Sequence, residues 1–119
     1  MVIIWFFYSL FEGLREGFYW REKKTRDNHY EHVIWSIQRA LVLILVSRDI
    51  IILLGCMCVF PFLHDGMYYT TRHYMNKNIY KKTFFDQSET STAVLTKYFT
   101  PYVRLILFII GVLLWIKRS

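Results

Sequence analysis

The sequence predicts an all-α fold, an integral membrane protein of about three transmembrane helices with one aromatic-rich interfacial connection. Three observations predict it. Val33 to Leu63 is an almost unbroken apolar run with no Gly or Pro before Gly55, and roughly 20 such residues suffice to cross a bilayer as a helix. Two more apolar runs flank it, Val2 to Trp20 and Tyr102 to Ile116. Hydrophobic residues make up 55% of the chain and aromatics 19%, against an apolar usage of about 45–50% in ordinary soluble domains. The mean hydropathy of +0.25 stays modest because charge gathers in the connections. A chain of 119 residues fits a single membrane domain, 1–119.

The first helix is predicted over 2–20. At 100° per residue, Trp5, Tyr8, Ser9, Glu12, Arg15, Glu16 and Tyr19 fall on one arc, and Ile3, Phe6, Phe7, Leu10, Phe11, Leu14 and Phe18 on the other. Gly13 and Gly17 form a G-x-x-x-G pair, placed with the apolar arc, that lets another helix approach closely. No basic residue precedes the run, so it lacks the n-region of a signal peptide and is read as a retained segment. Arg21 to Glu31 is a short polar turn at a membrane surface. The second helix is predicted over 32–63, at about 46 Å longer than the ~30 Å hydrocarbon layer. One continuous helix ending at Phe60-Pro61 is the reading adopted, because Pro disfavours a helical residue before it. A break at Ser47-Arg48-Asp49 is the alternative. Residues 64–100 form the connection, whose Tyr68, Tyr69, Tyr74, Tyr80, Phe84, Phe85, Tyr98 and Phe99 suit a membrane–water interface. Thr100-Pro101 is an N-cap followed by N1, which opens a last helix over 101–117, stopped by Lys117-Arg118.

The net charge of +6 is carried by cations that flank apolar runs, which suits lipid headgroups; no nucleic-acid-binding motif occurs. Three spans put the chain's ends on opposite membrane faces. Trp20, Trp35 and Trp115 would then anchor one face and Trp5 the other. Beside those tryptophans stand the basic turn and tail, which places the C-terminus in the cytoplasm and the chain, multi-pass, in an inner or plasma membrane.

The functional weight falls on polar residues inside the spans: Glu12, Arg15, Glu16, Gln38, Arg39, Arg48 and Asp49. A charge at a helix centre costs about 2.5–3.5 kcal/mol on insertion scales, so each ion needs a partner. Glu12 and Glu16 are assigned to Arg48, and Arg15 to Asp49. Gln38, Asp49 and Cys56 share an inward face, and Arg39 snorkels toward the surface. For metal, His29 with His32, and His64 with Asp65 and His73, are the only candidates, and solvated histidine is the preferred reading of the first pair. No metal or cofactor is assigned. Cys56 and Cys58, two residues apart on a helix, point to different faces and cannot form a disulfide there. Hydrolase, nucleotide-binding and dinucleotide-binding motifs are absent, and no catalytic residue is assigned. The expected function is helix–helix association in a bilayer, with itself or another membrane protein, the buried Glu/Asp/Arg network setting the pairing. The alternatives are a small membrane enzyme or transporter using those residues as a polar site, and a holin-like pore former.

Overall fold

The computed structural model describes residues 2–19, 29–80, 84, 85, 98 and 100–118. Among them are four helices and no strand: α1 Val2–Tyr19, α2 His29–Val46, α3 Ile50–Met75 and α4 Pro101–Arg118. The fold is all-α, as expected, but with one helix more than the apolar runs suggest.

The extra helix comes from the 32–63 run, which is two elements. Asp49 adopts an extended backbone, φ −77° and ψ 121°, and its Oδ1 accepts the Ile51 and Ile52 N–H groups at 2.9 and 3.3 Å. The Asp49 N–H in turn donates to Ser47 Oγ at 3.0 Å. These local bonds offer the backbone an alternative to helix, and an Asp N-cap starts a new one. The reading of one continuous helix is thus corrected.

Pro61 does not end α3. It lies buried inside the helix, which runs on through Tyr68 and Tyr69 to Met75. The ring withholds one N–H from the Met57 carbonyl, a local loss that packing on both sides outweighs. Residues 64–75 therefore belong to α3 and not to the connection. α3 ends at Asn76, whose N–H caps the Arg72 carbonyl at 3.0 Å. The start of α4 follows expectation, with Thr100 Oγ1 accepting the Val103 N–H at 3.3 Å and Pro101 in first place.

α3 is the axis of the bundle. Trp5 meets Cys56, Gly13 meets His64 and Gly17 meets Thr71, so α1 and α3 run the same way. Gly55 meets Gly111 and Trp115, and Tyr69 meets Arg104, so α4 runs the opposite way. α2 also opposes α1, because Tyr8 meets Gln38 while Tyr19 meets Trp35. The start of α1 and the end of α4 consequently lie together, beside Ser47–Asp49. This reverses the expectation of ends on opposite sides.

Glycines set both tight interfaces of α3. A Cβ on Gly13 would overlap the His64 carbonyl oxygen, and one on Gly111 would come within 2.6 Å of Val59 Cγ1. Such close approach gives van der Waals packing, the main attraction between helices where the solvent is itself apolar. Gly13 and Gly17 lie on the buried side of α1 with Trp5, Ser9, Glu12 and Glu16, and not on the outward apolar arc. The core joins Trp5, Val46, Cys56, Val59 and Leu63, with Phe60, Phe62, Phe108 and Trp115 around them. From the connection, Phe84 packs edge-on to Phe62 at 4.9 Å and against Gly66.

Among the described residues one helix, α3, is both long and apolar enough to cross a membrane. α1 and α4 each carry three charged side chains, and the apolar part of α2, Val33–Val46, is short.

Candidate functional site

The polar arc of α1 faces inward and meets α2 and α3 at one buried cluster. Glu12 and Glu16, one turn apart, point the same way. Glu12 Oε2 accepts Arg15 Nη2 at 2.6 Å, and Gln38 Nε2 reaches Glu12 Oε1 at 3.3 Å. Arg39 crosses from α2 to pair with Glu16, and its Nη2 lies 3.9 Å from Glu12. Glu16 Oε2 is 3.0 Å from His64 Nε2, and His64 Nδ1 is 2.8 Å from Asp65 Oδ1. The His64 ring is stacked between Phe60, at 4.8 Å and 16°, and Tyr68, at 6.3 Å and 5°. Arg39 covers the other part of Phe60, 4.9 Å from its centroid.

Five of the seven expected network residues thus come together: Glu12, Arg15, Glu16, Gln38 and Arg39. The assigned partners were wrong. Arg39 is the central cation and does not snorkel. Gln38 is exposed at the cluster's rim and shares no face with Asp49, because the break at Ser47 interrupts the helical phase. Arg48 is exposed in that break and is not placed beside Glu12 or Glu16. Asp49 serves the far end of the bundle, where Arg118 Nε donates to Oδ2 at 2.5 Å. That guanidinium, seconded by the Ile51 and Ile52 N–H groups, holds the Asp49 carboxyl below the usual carboxylate range.

His64 and Asp65 enter as ion partners, His64 of Glu16 and Asp65 of His64. His73 Nδ1–H donates to the Tyr80 carbonyl at 2.8 Å. Among the described residues no group of three His, Cys, Asp or Glu side chains is placed to hold a metal ion. The side chains of His29 and His32 lie outside the described residues. So does Trp20.

Two further buried cations were missed. Arg72 stands 3.9 Å over the Tyr80 ring and 5.0 Å over those of Tyr68 and Tyr69, and Arg104 lies 5.3 Å from Tyr69. Ending α3 at Pro61 had placed Arg72 in a surface connection, which hid its helical phase. The tyrosines on both sides of it, Tyr68 and Tyr69 before and Tyr80 after, are the signal the sequence offers.

The expected tryptophan anchors are also corrected. Trp5 is buried and donates Nε1–H to the Cys56 carbonyl at 2.8 Å. Trp115 donates to the Ile52 carbonyl at 3.3 Å, so it shares an end with Trp5. Trp35 lies at the other end, edge-on to Tyr19 and under Arg15. Both indoles at α3 thus bond to helix carbonyls and act as packing groups.

No protein-family model, curated protein sequence or solved structure matches this chain.

Proposed function

We propose that this chain is a small polytopic membrane protein that works through helix–helix association, its buried charges fixing which helices meet. One observation carries the reading: polarity is inverted between inside and outside. Glu12, Glu16, His64, Arg72 and Arg104 are buried, Arg104 at 1% exposure. Ile3, Phe11, Ile34, Leu41, Leu45, Ile106 and Leu113 are outside, Leu45 at 79%. In water that arrangement would expose far more contiguous apolar surface than a monomer tolerates. In lipid it satisfies the ions internally and leaves the hydrocarbon side chains to the acyl chains. Helices of 18 residues extend about 27 Å and α3, with 26, about 39 Å, against ~30 Å of hydrocarbon.

The charge balance of the two ends supports an orientation opposite to the one expected from the sequence. The segments joining α1 to α2 and α3 to α4 start and finish at the same end of the bundle, and they contain Arg21, Lys23, Lys24, Arg26, Lys77, Lys81, Lys82 and Lys97. The other end has Arg48, Lys117 and Arg118. The excess of cations puts the connections in the cytoplasm and the end bearing Arg118 outside.

Membrane fractionation tests the reading. The expressed chain should sediment with membranes, resist alkaline carbonate and need detergent to stay dispersed. A monodisperse sample in detergent-free buffer overturns it. A second reading, transport of a proton or small ion, is favoured by the unbroken polar line Tyr8–Gln38–Glu12–Arg39–Glu16–His64–Asp65. An ion-flux assay in proteoliposomes separates it from pure association.

A further inference from the structure

We propose that the cluster is a proton-binding site, with His64 holding the proton as an imidazolium that balances three carboxylates. Three geometric facts carry this.

The first is acceptor chemistry. Both ring nitrogens face carboxylate oxygens, Nε2 toward Glu16 at 3.0 Å and Nδ1 toward Asp65 at 2.8 Å. Ionised carboxylates only accept, so the imidazolium, with N–H on both nitrogens, can serve both of them at once. A neutral ring can donate to only one, its bare Nε2 then facing Glu16 beside the Arg39 donor.

The second is charge balance. α1 contributes Glu12, Glu16 and Arg15, α2 contributes Arg39, and α3 contributes Asp65 and His64. Three anions face two permanent cations, and the His64 proton supplies the third positive charge. Without it, one carboxylate stands unbalanced among apolar helices, where a lone charge is expensive. The third is the ring sandwich. The faces of Phe60 and Tyr68 carry the negative part of the aromatic quadrupole, which favours a cation between them.

Arg39 gives the site its second state. Its Nη2 is 3.1 Å from His64 Nε2. If the proton leaves, Nε2 becomes an acceptor and Arg39 can donate to it. Arg39 also pairs with Glu16, so the same guanidinium is shared between the two states. α2 reaches the cluster through Gln38 and Arg39, so the His64 proton bears on this polar part of its contact with α1 and α3.

The inference rests on the proposed network but not on the bilayer. The probe is the proton itself, read by nitrogen NMR of histidine-labelled full-length chain in detergent, with the His64 signals assigned by His64→Gln. Two bonded protons on the His64 ring at pH 7.5 are expected. Asp65→Asn, at the half-exposed side of the cluster, should keep helix content and convert the ring to a single-proton tautomer. In wild type, loss of the second ring proton seen by NMR should coincide with a fall in the thermal midpoint, and in His64→Gln no such fall should occur. A folded wild-type chain whose His64 has one bare ring nitrogen at pH 7.5 overturns the proposal, as does an Asp65→Asn spectrum unchanged from wild type. A membrane-bound chain with neutral His64 defeats this inference alone, whereas a water-dispersed chain with doubly protonated His64 defeats the membrane reading alone.

Discussion

At Arg39 one side chain answers to four others. It pairs with Glu16, approaches Glu12 and His64, and lies over Phe60. Truncation removes the cation and leaves two buried carboxylates, and breaking a buried pair from one side typically costs about 3–5 kcal/mol. Arg39→Ala is therefore expected to lower stability by about that amount in a detergent-based unfolding titration. The double variant Arg39→Glu with Glu16→Arg should recover part of the loss. Trp5→Phe should cost less, about 1 kcal/mol, because it removes a single neutral hydrogen bond, to the Cys56 carbonyl, and keeps most of the packing. The cluster's acidic side was legible in the sequence, since Glu12 and Glu16 at helical spacing inside an apolar run require partners. Which cations supply them was not. Arg39 and Arg48, nine residues apart, fall on opposite faces of a continuous helix, and hydropathy alone does not say which of those faces turns inward.

At the scale of the element, local chemistry was readable wherever it stood apart from hydropathy. Thr100-Pro101 marks the start of α4 because an N-cap followed by Pro suits the first turn and little else. Ser47-Arg48-Asp49 carries the same kind of signal, but it sits inside apolar sequence, where a count of apolar residues passes over it. Pro61 misled in the other direction, because its local cost is offset by packing that the sequence does not display. α1 fits against His64 and Thr71 on one side of α3, and α4 against Gly55 and Val59 on the other. Gly111→Leu is accordingly expected to push α4 off α3 at a cost of about 1–3 kcal/mol, read as a lower unfolding midpoint. The Asp49 cap has its own pH signature. The folded carboxyl is held below its ordinary value by Arg118, so its contribution is complete above about pH 4 and is lost as pH falls through the folded value. Protection of the Ile51 and Ile52 amides, relative to their intrinsic exchange rates, should fall over that acidic window, and in Asp49→Ala it should be low at every pH.

On the scale of the whole molecule, an even number of helices puts the start of α1 and the end of α4 at one end. Reporter domains fused to each terminus should accordingly report the same compartment, the opposite of the three-span expectation. Opposite compartments would mean that α2 and α3 cross as a single segment. The shared direction of α1 and α3 has a consequence for biosynthesis. Two neighbouring helices in a hairpin can fold as a pair as soon as both have left the ribosome, but α1 has its principal partner two helices downstream. Glu12 and Glu16 must wait for Arg39 and then for His64 before they are neutralised. A nascent chain halted after Val46 would hold Arg39 but lack His64, and its first helix would be retained less firmly by the translocon than that of the finished protein. On the proposed membrane reading, commitment to the bilayer comes late in translation, when α3 joins a helix made long before it.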